Sequence, residues 1–118
     1  MSKRLAALFL LLTSEYLSAQ CLFVEAEEKI KDVVLIRKQA LSVMDAEANK
    51  CDDLTDKKIR TACQCQYRKK ELNKFREVYK AILAKYPEYD NRLICYSKEG
   101  EGISVNFIGY KQMNTWCL

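Results

Sequence analysis

From Leu22 to about Asn49, apolar residues recur at helical spacing: Phe23, Ala26, Ile30, Val33, Val34, Ala40, Leu41, Met44 and Ala48. No proline or glycine interrupts this run, and Arg37 is the break in its stripe. The CDDLTD stretch then gathers Asp52, Asp53, Thr55 and Asp56, residues that stop one helix and cap the next. A second pattern predicts a helix from about Asp56 to Tyr86. Its stripe is Ala62, Cys65, Leu72, Phe75, Tyr79, Ile82 and Tyr86, with Val78 and Leu83 beside it. Pro87 closes it, since proline lacks the backbone donor and disfavours helical geometry in the residue before it. Two long helices on a short connection predict an antiparallel helical hairpin.

Beyond Pro87 the period shortens. Ile103, Val105 and Phe107 alternate with Ser104 and Asn106, which is the pattern of a strand. The preceding RLICYSK and the turn-like EGEG complete a β-hairpin, with a short helix over Tyr89 to Tyr96 as the competing reading. The predicted fold is therefore mainly α: a small disulfide-stapled antiparallel helical hairpin with a short C-terminal β-hairpin or irregular tail.

The chain opens with Lys3 and Arg4, an unbroken apolar run from Leu5 to Leu12, and a more polar stretch ending at Ala19. That order predicts a secretory signal peptide over residues 1–19 and a single disulfide-rich helical domain over residues 20–118. The apolar run is shorter than the roughly 20 residues a membrane-spanning helix needs. Removal of Lys3, Arg4 and Glu15 leaves 18 basic and 15 acidic residues, a net charge of +3. The expected product is soluble, monomeric and extracellular.

Compartment decides how the cysteines read. Cys21, Cys51, Cys63, Cys65, Cys95 and Cys117 form an even set in a short secreted chain, the usual mark of a disulfide framework. A zinc site is the rival, but the chain has no histidine and its one close pair, Cys63 and Cys65, is separated by a single residue. The reading is three disulfides, no metal and no cofactor. Residues two apart on a helix point about 200° apart, which assigns Cys63 and Cys65 to different bridges. Cys51, near in sequence across the turn, joins one of them, and the C-terminal segment supplies the other's partner. Cys95 and Cys117 are expected to fasten the tail to the helices.

Absence of histidine excludes serine–histidine and cysteine–histidine catalysis. Three glycines in total leave no phosphate-cradling loop. Glu25, Glu27, Glu28 and Asp32 are interleaved with Lys29 and Lys31 on one helix, rather than paired in contrasting environments as acid–base catalysis requires. The chain reads as a binding protein, not an enzyme.

Charge points to a surface. Residues 57 to 80 hold nine basic side chains against Glu71 and Glu77, a local +7 on a chain whose total is +4. Such a helix attracts membranes, sulfated glycans or acidic channel vestibules, or else it is an ordinary solvated face that balances the acidic first helix. No nucleic-acid recognition motif accompanies it. Lys57, Lys58, Tyr67, Arg68, Lys69, Lys70, Lys74 and Arg76 are the candidate target-binding residues, with Tyr67 beside Arg68 and Lys69 as the contact-like feature.

The stretch from Asn49 to Lys70 resembles the cysteine core of centipede venom scoloptoxins. The similar elements are Lys50-Cys51, a charged connector, Lys58-Ile59-Arg60 ahead of Ala62-Cys63, and then Cys65 with basic residues. The likeness covers about 22 of 118 residues. It departs from the family in having one residue between Cys63 and Cys65, no adjacent cysteine pair, and a long first helix. The resemblance implies a secreted, toxin-like protein that acts on an ion channel or receptor. The alternative is a periplasmic or extracellular inhibitor or binding protein of non-venom origin.

Overall fold

The computed structural model describes residues 21–46 and 49–118. The predicted signal segment and Ala48 of the first stripe lie outside the described residues. In chain order the elements are β1 (Cys21–Phe23), α1 (Glu27–Asp45), α2 (Lys57–Lys85), a 3-10 turn (Pro87–Tyr89), β2 (Leu93–Lys98), β3 (Glu101–Asn106) and α3 (Phe107–Thr115). The helical hairpin and the β-hairpin form as the pattern predicts. No helix of the described residues is long and apolar enough to cross a membrane.

The Asp56 side chain accepts hydrogen bonds from the backbone of Lys58 (2.9 Å) and Ile59 (3.1 Å), capping α2 at the predicted residue. At its other end, Tyr86 leaves helical geometry (φ −130°, ψ 74°) ahead of Pro87. The buried face of α2 runs Arg68, Leu72, Phe75, Tyr79 and Ile82, a spacing of four and three that makes a narrow seam. On α1 the matching seam is Val33, Ile36, Ala40 and Val43. This corrects the predicted stripe: Val34, Leu41 and Met44 are exposed, while Ile36 and Val43 are fully enclosed. Two apolar stripes run along α1, and packing against α2 selects one. Across the hairpin, Gln39 Nε2 donates to the Glu71 carbonyl (3.3 Å) and carboxylate (3.0 Å).

The expected helical start at Leu22 is replaced by β1, which pairs in parallel with β2 and places Phe23 opposite Cys95. Leu22 packs on the core, whereas Phe23 is exposed. Strand β2 is central in the order β1-β2-β3. Its antiparallel hairpin with β3 turns at Glu99 and Gly100, which both take positive φ (52° and 82°), as the tight primed turns require. Inward-facing Ile94, Tyr96 and Val105 are buried against the helices.

The strand predicted through Phe107 instead stops one residue short. Asn106 accepts from the backbone of Ile108 (3.0 Å) and Gly109 (3.2 Å) and starts α3. Phe107 is fully enclosed among Tyr89 (5.5 Å between ring centroids), Tyr110 (5.3 Å) and Tyr79 (6.3 Å). This aromatic cluster welds α3 to α2. The bridges are Cys51–Cys63, Cys65–Cys117 and Cys21–Cys95. The first two match the expected separation of Cys63 from Cys65. In the third, Cys95 fastens to β1 rather than to a helix. Three disulfides belong to an oxidising compartment.

Candidate functional site

The cations of α2 divide into structural and free sets. Arg68 is only 7% exposed, with its guanidinium 4.6 Å from the centroid of the Trp116 ring. It is therefore not part of an exposed contact surface, contrary to the sequence expectation. The reason is geometric: Cys65, Arg68, Leu72 and Phe75 share one seam, and the long side chain bridges the gap to Trp116. Arg76 is half-buried. Its Nε donates to the Asn114 carbonyl (2.9 Å) and its Nη2 to the Trp116 carbonyl, holding the end of α3 against α2.

The remaining candidates, Lys57, Lys58, Lys69, Lys70 and Lys74, are exposed. At about 100° per residue they do not share one face. Tyr67, Lys70 and Lys74 line one side of α2. Lys58 and Lys69 line the other, together with Arg76, and Lys57 in the first turn lies on neither.

On the Tyr67 side, the ring is 45% exposed and the Lys50 ammonium stands 5.0 Å from its centroid. A groove of about 440 Å³ runs from Tyr67 and Lys70 to Ser42 and Asp45 of α1. Lys74 pairs with Glu71 at 3.8 Å, so charge here is mixed. Farther along the same side, Leu35 of α1 and Val78, Ala81 and Ile82 of α2 line an apolar groove of about 430 Å³. Leu35 is half exposed. Sequence patterning did not point to Leu35, Ala81 or Lys50. Their only signal was an apolar residue off the seam and a cation next to a cysteine.

The apolar groove ends at a polar latch. Asp32 Oδ2 accepts from Lys85 Nζ (2.9 Å) and the Tyr86 hydroxyl (2.8 Å). Burial by itself would raise the Asp32 carboxyl, but these two hydrogen bonds and the Lys85 charge outweigh it and hold the group below its ordinary 3.8. A carboxyl depressed in the folded state contributes stability above its ordinary value and loses it as pH falls through the folded value. As pH falls below about 4, the melting temperature should thus fall more steeply in the wild type than in Asp32→Asn. Parallel melting curves would show that the latch adds nothing.

Elsewhere, burial pushes the hydroxyls of Tyr89 and Tyr110 up to about 12. No family model, curated protein or solved structure matches this chain.

Proposed function

We propose that the protein is a secreted binding protein that docks an extracellular protein target on the Tyr67 side of the helical hairpin. The observation that carries this reading is a pair of grooves on one side of the hairpin: one at an exposed tyrosine gripped by Lys50 and flanked by Lys70, the other apolar and lined by Leu35, Val78 and Ala81. Protein interfaces concentrate their energy in aromatic and cationic anchors beside apolar contacts, with a polar rim that excludes water. Here Asp32–Lys85 and Lys74–Glu71 supply that rim.

The finer reading is a toxin-like modulator of an ion channel or receptor, which rests on the likeness to scoloptoxins. Lys70, beside Tyr67, is the ammonium that would enter an acidic vestibule. Recording cation-channel currents from oocytes bathed in the folded protein tests it. The wild type should reduce current, and Tyr67→Ala/Lys70→Glu should need about tenfold more protein for the same effect. Circular dichroism keeps folding in view. A double variant as active as the wild type would move the docking surface elsewhere; a wild type without effect across the channels would remove the channel reading.

A further inference from the structure

We infer that the opposite side of α2 is a second binding surface, for a linear sulfated polysaccharide. Lys58, Lys69 and Lys80 are spaced by eleven residues, three helical turns plus about 20°, so they stand nearly in line about 16 Å apart. All three are exposed. Between them lies a groove of about 520 Å³, where Gln66, Lys69, Asn73 and Arg76 stand beside Leu72 and the Cys65–Cys117 bridge. Arg76 is fixed by the Asn114 and Trp116 carbonyls, so its charge is held at the groove.

Two features separate this surface from the Tyr67 side. The first is uncompensated charge. The acids of α2 lie with the other grooves: Glu71 beside Lys70, and Glu77 with Asp32 and Lys85. The flanking segment from residue 106 to 118 contains no acidic side chain. The second is the lack of an aromatic anchor. The groove carries the amides of Gln66 and Asn73 beside Leu72 and Leu118, while the exposed tyrosine of α2 is on the other side. Protein-interface hot spots are rich in tryptophan and tyrosine and poor in leucine. A straight row of ammonium groups with amides between them instead matches a chain of sulfates and hydroxyls. The row is also a line rather than a plane, which favours a polymer over a lipid surface.

The test measures binding of a heparin dodecasaccharide by calorimetry to two charge-matched variants. Lys58→Gln/Lys69→Gln/Lys80→Gln should weaken affinity by about tenfold or more, as three exposed charge contacts would. Lys57→Gln/Lys70→Gln/Lys74→Gln, with the same loss of charge, should weaken it by less than about threefold. Polyglutamate and phosphatidylserine vesicles should bind more weakly than heparin. Equal losses in the two variants, no heparin binding by the wild type, or equal affinity for polyglutamate or vesicles would overturn the proposal. The Tyr67 surface is read by a different variant and a different assay, so either proposal can fail alone.

Discussion

Arg68→Glu should destabilise the domain by about 4 kcal/mol, enough to leave much of it unfolded, whereas Arg68→Met should change stability by less than about 1.5 kcal/mol. Arg68 occupies a seam position on α2 and lies against the Trp116 ring. A carboxylate there loses the attraction to the ring's negative face and is held away from water without the cation's compensation. Methionine keeps the length and apolar stem while removing the charge that had to be desolvated. Guanidinium unfolding of the two variants separates the explanations. A Glu variant within about 1 kcal/mol of wild type would mean that the side chain escapes to solvent. The expected loss means that charge reversal at Arg68 reports on folding, so among the candidate cations of α2 the exposed lysines are the fit probes of its surfaces.

The second large effect is expected from the bridge that ties β1 to β2. Cys21→Ser/Cys95→Ser should cost about 4 kcal/mol, because the crosslink spans 74 residues and its loss releases a long segment of the unfolded chain. Cys51→Ser/Cys63→Ser, closing a span of only 12, should cost about 3 kcal/mol. Cys65–Cys117, spanning 52, falls between them and has a local readout. Without it, amide protection should drop in α3, which Arg76 and the aromatic cluster must then hold alone. Equilibrium unfolding of the serine pairs checks the ordering. A larger loss at Cys51–Cys63 than at Cys21–Cys95 would show that native packing, not chain entropy, sets these contributions.

Much of the scaffold was legible from local signals. Asp56 and Pro87 bound α2 because a carboxylate cap and a missing donor act within one turn, whatever lies beyond them. Helical geometry alone separated Cys63 from Cys65, since residues two apart cannot face the same neighbour. The alternation around Ile103 and Val105, with the turn at Glu99 and Gly100, foretold the β-hairpin. The candidate surface was legible only as a basic helix, with no indication of which cations were free.

What remained depended on groups far apart in the chain. Leu22 and Phe23 fit a helix by periodicity, but β2, about 70 residues away, offers their backbone a ladder and Cys95 a crosslink. On α1, two stripes are comparably apolar, and only contact with α2 decides that Ile36 and Val43 go inside while Leu41 and Met44 stay out. Arg68 reads as surface from its charge and as core from its spacing, and the arrival of Trp116 settles the conflict. The division of the lysines into a mixed-charge side and an acid-free side likewise needs α1 on one flank and α3 on the other. Sequence by itself therefore determined the helical hairpin, the ends of α2, the separation of Cys63 from Cys65 and the β-hairpin, because caps, turns and periods are short-range. Only the tertiary structure decided which stripe is core and which cations are free, because burial is a property of the neighbours a residue meets.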